Sequence, residues 1–228
     1  MIKSIVLTSI LLVYIILLFD ISNLDLVVQN YFYNSDLNQW ILSDDNSVLD
    51  LLFYSGYKKV LIFFALSLLF ALVFFRKTTV IQHYKQGLLI VLLSLILVPV
   101  TVGYLKSVTN VPCPKHLVLY GGQSPYIKAL KPMPSDLKQE KRFKCFPAGH
   151  ASGGFALMSL FFLFKRKRNQ RLALASAISI GWLTGGYKML IGDHFLSHTI
   201  VTMLLAWVII LLITTAIQWY ENQVNSAQ

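Results

Sequence analysis

Long apolar runs restrict the fold of this chain more than any other feature of its sequence. A bilayer-spanning helix needs about 20 mostly apolar residues, and uncharged stretches near that length occur at six places. Of the 228 residues, 56% are hydrophobic and only 13% are charged, which is too few charges to cover a water-soluble globule. We therefore expect one all-α integral membrane domain over residues 1–228. Its six predicted transmembrane helices cover residues 5–19, 60–75, 87–105, 151–164, 172–187 and 199–219.

The basic residues predict how these helices are oriented. Because Lys and Arg resist translocation, short basic loops stay in the cytoplasm. Arg76 and Lys77 flank the second connection, and residues 165–171 contain five basic side chains. Both connections are then cytoplasmic, and six spans place both termini there as well. The first apolar run lacks a secretory cleavage signature, so we expect it to stay in the mature protein.

Two long connections lie on the opposite, outer face. Residues 20–52 combine turn-forming polar clusters with apolar positions, which predicts a segment of short amphipathic helices along the outer membrane interface. Residues 106–146 form a loop rich in proline and glycine between the third and fourth helices, and connections of this length are usually functional or disordered. The loop is also basic, with Lys128, Lys131, Lys138, Lys141, Arg142 and Lys144. These charges are either merely solvated or attract an anionic lipid head group.

The overall charge indicates the membrane as the partner. A formal net charge of +10 and a pI near 9.6 would suggest nucleic-acid binding in a soluble protein. In a chain this apolar, anionic lipid is the better partner. We therefore expect no nucleic-acid partner, and the sequence indicates no obligate protein partner.

Three groups of polar residues fall on the predicted outer face. Lys106 ends the third helix, and His150 opens the fourth. Lys188, His194 and His198 lie between the fifth and the sixth. A glycine before a helix N-terminus exposes amides that bind anions, phosphate in particular. The three histidines could also bind zinc, but the neighbouring lysines disfavour a cation, so a phosphate site fits better than a metal site.

These three groups resemble the signature of the type 2 phosphatidic acid phosphatase superfamily. Its pattern is Lys-x6-Arg-Pro, then Pro-Ser-Gly-His, then Ser-Arg-x5-His-x3-Asp. Lys106 precedes Cys113-Pro114 at the first spacing, and residues 147–150 are Pro-Ala-Gly-His. Lys188 precedes His194 and His198 at the third spacing. The order, the spacing and the six predicted helices all agree with the family.

The departures from this signature occur at five positions. They are Cys113 for Arg, Ala148 for Ser, Tyr187 for Ser, Lys188 for Arg and His198 for Asp. Lysine keeps a phosphate-binding charge but loses the bidentate fork of arginine. The variant motifs resemble those of a bacterial subgroup that includes lipid A phosphatases.

The resemblance implies a role for each matching residue. His194 would be the nucleophile that forms a phosphohistidine, and His150 the general acid that protonates the leaving oxygen. His198 stands where the family has the carboxylate that orients the nucleophile, with Asp193 as an alternative orienter. The phosphate-binding groups would be Lys106, Lys115, Lys188 and the Gly149 amide. The resemblance implies no metal and no cofactor.

The two cysteines acquire a meaning from the same resemblance. Cys113 and Cys145 bracket the basic loop, one beside each of the first two motifs, and both would face an oxidising compartment. A disulfide between them would close a loop of about thirty residues and remove roughly 3–4 kcal/mol of unfolded-state entropy. The alternative is two free thiols at the membrane interface.

The expected function is therefore that of a bacterial inner-membrane phosphatase with a periplasmic site. Its substrate would be an anionic phospholipid or lipid A, which would lose its 1- or 4′-phosphate. Undecaprenyl diphosphate and phosphatidylglycerophosphate are alternative substrates on the same scaffold, and transfer of the phosphoryl group is an alternative to hydrolysis. A catalytically silent lipid-binding protein is the alternative of another class. A transporter is disfavoured because the ionisable residues collect at one interface.

Overall fold

The computed structural model describes residues 1–43, 47–131 and 142–226, which are almost entirely helical. Within these ranges, short irregular helices cover Leu51–Ser55 (a π-helix), Pro114–His116, Val118–Tyr120 and Leu157–Phe162 (3₁₀ helices). The α-helices are α1 Ile2–Ile21, α2 Leu24–Asn30, α3 Ser47–Asp50, α4 Gly56–Phe74, α5 Thr79–Thr109, α6 Gly149–Ala156, α7 Lys167–Leu190 and α8 Leu196–Ser226. A hairpin of two short strands, β1 Tyr33–Asn34 and β2 Gln39–Trp40, lies between α2 and α3.

The protein is a membrane protein. In the described part of the chain, four helical segments are long and apolar enough to cross a bilayer: Ile2–Ile21, Val48–Phe74, Thr79–His116 and Leu196–Ser226. They correspond to the first, second, third and sixth predicted spans, and each begins earlier in the chain than its predicted span.

The fourth and fifth predicted spans correspond to less apolar elements. Residues 151–164 cover most of α6, which has 8 residues, and the 3₁₀ helix of 6 residues that follows it. α7 has 24 residues but contains Lys167, Arg168, Arg171 and Lys188. The count of six spans therefore stays a prediction.

The core lies where α5, α6, α7 and α8 meet. Val98 of α5, Phe155 of α6 and Ile210 of α8 are each 0% exposed and belong to one cluster. α6 and α7 approach so closely that a Cβ added at Gly154 would lie 2.7 Å from the Cα of Gly181. Any side chain at Gly154 would force the two helices apart. This contact fixes the position of the helix that carries His150.

The two ends of the helix bundle differ in charge and content. At one end, the Lys165 ammonium lies 5.9 Å from the centre of the Tyr84 ring, so the basic residues 165–171 lie next to the start of α5. At the other end, α5 and α7 end while α6 and α8 begin. The predicted catalytic residues all belong to this second end, which we call the site end.

Of the segment predicted as residues 20–52, residues 22–43 fold over the site end. The predicted helices are present as α2 and α3, but the hairpin was not predicted. Tyr33 and Trp40 of the hairpin contact Tyr120, with ring centroids 5.1 and 5.2 Å from it. We call residues 22–43 together with 110–131 and 142–148 the cap. Lys138 and Lys141 of the predicted basic loop lie outside the described residues.

Candidate active site

Two histidines form the centre of the site. Nδ1 of His150 lies 3.1 Å from Nε2 of His194. His150 sits in the first turn of α6, where the backbone N–H of Ala148 donates to the Thr202 hydroxyl of α8 at 2.8 Å. The start of α6 is thereby fixed to α8, the helix that begins just after His194. The two rings are held within hydrogen-bonding distance although 44 positions separate them in the sequence.

A backbone carbonyl orients His194. Nδ1 of His194 lies 2.9 Å from the carbonyl oxygen of Cys145, and since a carbonyl can only accept, we assign the proton to Nδ1. The lone pair of Nε2 then faces His150. His194 is 1% exposed. Burial, reinforced by His150, His198 and Lys106, lowers the pKa of His194 well below its ordinary value of 6.5, so this ring is neutral at pH 7 and its Nε2 can act as a nucleophile.

Neither side chain predicted as the orienter occupies this position. The His198 ring centroid lies 5.8 Å from that of His194, and its Nδ1 has no hydrogen-bond partner among the described residues. The ring is 2% exposed and packs edge-on against Phe146 and Phe195. In this structure the Cys145 carbonyl, rather than His198, is the group that bonds to Nδ1 of His194.

Asp193 has a different task, because it pairs with two of the predicted phosphate-binding lysines. Its carboxylate lies 2.7 Å from the Lys115 ammonium and 2.9 Å from that of Lys188. Burial opposes ionisation of Asp193, but the two ammonium groups outweigh it and hold the pKa of the carboxyl below its usual range. Lys115 also donates its backbone N–H to the Gly192 carbonyl at 2.9 Å. Asp193 thus brings both lysines to the loop that carries His194.

Lys106 lies beside the start of α6. Its Nζ would be 3.1 Å from a Cβ added at Gly149, so glycine leaves room for the ammonium directly at the helix N-terminus. Lys106, Gly149 and His150 line the same concave surface. An ammonium beside the exposed amides of a helix N-terminus favours an anion such as phosphate.

A disulfide lies immediately behind the histidines. It joins Cys113 to Cys145, with 5.2 Å between the two Cα atoms. His116 lies near the two sulfur atoms, so these three residues have the composition of a metal site. Zinc binds cysteine as the thiolate. Because both cysteines are in the disulfide, neither is present as a thiolate that could bind it.

An apolar groove leads away from Lys106 and His150. Its volume is about 540 Å³, and it follows α5 from Lys106 back to Leu92, which corresponds to about 20 Å along a helix axis. The walls come from α4 and α5, chiefly Leu61, Ile62, Leu66, Leu92, Leu95 and Ile96. The site therefore has a polar end at the histidines and an apolar extension in the membrane part of the protein.

A protein-family comparison agrees with this geometry. The model of the PAP2 superfamily matches residues 87–222. The chain belongs to the PAP2 superfamily. No curated protein and no solved structure gives a significant match.

Members of the PAP2 superfamily are phosphatases, and membership supports an enzyme that acts on lipid-like phosphate esters. All three signature blocks lie within the matched residues, and the structure brings their side chains to one end of the bundle. The N-terminal 86 residues, with α4 and residues 22–43 of the cap, lie outside the match.

Three features of this PAP2 site were not predicted from the sequence. The Cys145 carbonyl carries no sequence signal, because every residue has one. The groove arises from the packing of α4 against α5, which hydropathy does not reveal. The pairing of Asp193 with Lys115 and Lys188 had a weak signal in their opposite charges and their nearness to the third block.

Proposed function

We propose that this PAP2 protein is a metal-independent lipid phosphatase that removes the 1- or 4′-phosphate of lipid A through a phosphohistidine on His194. The observation that carries the proposal is the contact between His194 and His150 at the polar end of an apolar groove, which Lys106 and His150 line. A soluble phosphate ester needs no such groove. A lipid would place its phosphate at the polar end of the groove and its acyl chain in the apolar part.

The chemistry would proceed in two steps. Nε2 of His194 attacks phosphorus, the bond between phosphorus and the lipid oxygen breaks, and His150 gives that oxygen a proton. Water then attacks the phosphohistidine with His150 as the base, the phosphorus–nitrogen bond breaks, and phosphate leaves. Lys106, the Gly149 amide and the lysine pair at Asp193 supply the positive charge that phosphoryl transfer requires.

The basic cap supports an anionic lipid as the substrate. Lys128, Arg142 and Lys144 belong to the described part of the cap and would raise the local concentration of a negatively charged head group. Lipid A is preferred among such lipids because the variant motifs resemble those of lipid A phosphatases. Undecaprenyl diphosphate and phosphatidylglycerophosphate present the same chemistry to the same groove.

Phosphate release from defined lipids tests the proposal. Detergent-purified protein is incubated in EDTA with lipid A, undecaprenyl diphosphate or phosphatidylglycerophosphate. We expect release from lipid A, its loss in His194→Ala, and its retention in His83→Ala, which removes an exposed histidine of α5 at the opposite end. An acid-labile, alkali-stable phosphoryl label on the protein would identify the phosphohistidine.

Each other outcome leads to a different conclusion. Release from another lipid alone would replace lipid A as the substrate. Dependence on a metal would refute the proposed mechanism. Lipid binding without release, unchanged in His194→Ala, would make the protein a lipid-binding member of its family.

Membrane orientation is a separate part of the proposal, namely that the site end faces the periplasm of a bacterial inner membrane and both termini face the cytoplasm. Both native cysteines are in the disulfide, so a single added cysteine reports its own location. We expect a membrane-impermeant maleimide to label Leu119→Cys, whose side chain is 60% exposed in the cap, in intact spheroplasts. Lys77→Cys, at the opposite end, should react only after lysis, and the reverse pattern would invert the topology.

A further inference from the structure

The group that orients the proposed nucleophile belongs to a disulfide-bonded residue. A flexible side chain could reach His194 from several backbone positions. The Cys145 carbonyl, 2.9 Å from Nδ1 of His194, is part of the backbone, so its position is set by the backbone of its own segment. The accuracy of this hydrogen bond therefore depends on what holds residues 142–148.

This segment is attached to the end of α5 by several contacts. The Phe143 N–H donates to the Asn110 side chain at 2.8 Å, and the Thr109 hydroxyl donates to the Phe146 carbonyl at 2.6 Å. These hydrogen bonds flank Cys145 on both sides. The covalent attachment, the disulfide to Cys113, is made by Cys145 itself.

The other end of the disulfide is attached to the loop of the nucleophile. Cys113 precedes the turn Pro114–His116, in which Lys115 bonds to the Gly192 carbonyl at 2.9 Å and to the Asp193 carboxylate at 2.7 Å. A closed ring of contacts thus runs from His194 through Cys145, Cys113 and Lys115 to Asp193 and back. The disulfide is its covalent link.

We infer that the Cys113–Cys145 disulfide is a positioning element for the nucleophile: it holds the Cys145 carbonyl on Nδ1 of His194, and the enzyme turns over fully only in the disulfide form. This inference rests on the proposed function, since it takes His194 to be the nucleophile. Attack by Nε2 makes the imidazole ring positively charged, and the carbonyl dipole at Nδ1–H stabilises that charge. Without the disulfide, the carbonyl keeps its chemistry but loses its fixed position.

The effect should appear in turnover rather than in binding. Groups misplaced by about 1 Å can cost roughly 10²-fold in rate, so we expect Cys113→Ser, or reduction of the wild type, to lower kcat about 10- to 100-fold. KM should change less than about twofold, because neither cysteine lines the groove. Reoxidation of the reduced wild type should restore kcat.

The matched control is Cys113→Ser itself, which should not respond to reductant or oxidant. This variant retains the Cys145 carbonyl and removes only the disulfide bond. Assays run well below the unfolding temperature of each form, measured by tryptophan fluorescence. If kcat stays unchanged while only the unfolding temperature falls, the disulfide stabilises the fold without positioning His194, and the inference is wrong.

A second measurement keeps the inference separate from the proposed function. Selective ¹⁵N labelling of histidine reports whether Nδ1 of His194 carries the proton, with His194→Gln to assign its signal. We expect the Nδ1–H form in the oxidised protein and a mixture of tautomers after reduction. If no lipid releases phosphate, the proposed function fails, whatever the tautomer of His194 is. If the tautomer of His194 is unchanged after reduction, the positioning role is wrong, whatever the activity is.

Discussion

The two parts of this chain, residues 87–222 and residues 1–86, contribute to one site in different ways. The first part matches the PAP2 superfamily and contains both histidines, the lysines and the disulfide. The second lies outside the match, yet α4 forms one wall of the groove. The family-specific part thus supplies the chemistry, and the other part shapes the space that a lipid chain would occupy.

The N-terminal part also holds the loop that carries His194. Asp25 of α2 is 5% exposed and accepts hydrogen bonds from the Ser197 N–H at 2.9 Å and the Ser197 hydroxyl at 2.5 Å. Gln29 donates to the Met189 carbonyl at 2.9 Å. These contacts lie on either side of His194 in the sequence. A segment without predicted catalytic residues therefore restrains both ends of the loop that carries His194.

The largest effect should come from the matched part, at His150. We expect His150→Gln to lower kcat about 10²- to 10⁴-fold, the usual contribution of a general acid, while KM changes little. An ester with a more acidic leaving alcohol should recover much of the rate, because that oxygen needs no proton. The control is His83→Gln, and a loss below tenfold on the natural substrate would remove His150 from the mechanism.

The lysines of the matched part should differ among themselves. Lys106 lines the groove directly beside Gly149, so Lys106→Gln should lower kcat/KM about 10²-fold, as for the loss of one preorganised donor. Lys115 is already neutralised by Asp193 at 2.7 Å, and Lys115→Gln should cost less. Equal losses in the two variants would show that Asp193 releases Lys115 to the substrate.

The contribution of the N-terminal part to stability should depend on pH. Burial raises the pKa of Asp25 from its ordinary value of 3.8 to about 6, although the Ser197 hydrogen bonds and Lys128 oppose this shift. Between these pH values the folded protein binds the proton more tightly than the unfolded chain. The free energy of unfolding contributed by Asp25 is thus highest below pH 3.8 and falls as pH rises through about 6.

Asp25→Asn isolates this contribution. Asparagine can still accept from the Ser197 N–H and donate to its hydroxyl, but it does not titrate. Relative to the variant, the wild type should lose up to about 3 kcal/mol of stability between pH 4 and pH 7.5, since each pKa unit corresponds to about 1.4 kcal/mol. A difference that is independent of pH in denaturant unfolding would show that Asp25 is not buried against Ser197.

The sequence predicted side chains better than it predicted the groups that position them. The apolar runs located α1, α4, α5 and α8, since a bilayer demands such runs. The hairpin at Tyr33 and Trp40 was missed because its strands have two residues each, too few for a visible alternation. Spacing brought Lys106, His150 and His194 together in the prediction, as the structure does.

The remainder of the site depends on the backbone and on packing between distant segments. His198 was predicted as the orienter because motif matching compares side chains at equal spacing, whereas the group found at Nδ1 of His194 is the Cys145 carbonyl. Asp25 acts across 172 positions of sequence, a distance at which no local pattern links it to Ser197.

The smallest predicted effect concerns the groove, where the two parts of the chain meet. Leu66 of α4 lines it and is 58% exposed, so Leu66→Trp should fill part of the groove without disturbing the core. We expect KM for a long-chain lipid to rise about tenfold, since losing two buried methylene groups costs about 1.6 kcal/mol, while a short-chain phosphate ester is unaffected. Phe63→Trp, 73% exposed on the same helix and outside the groove, is the control. If both substrates respond equally to Leu66→Trp, α4 acts on the histidines rather than on the lipid chain, and the division of tasks between the two parts of the molecule does not hold.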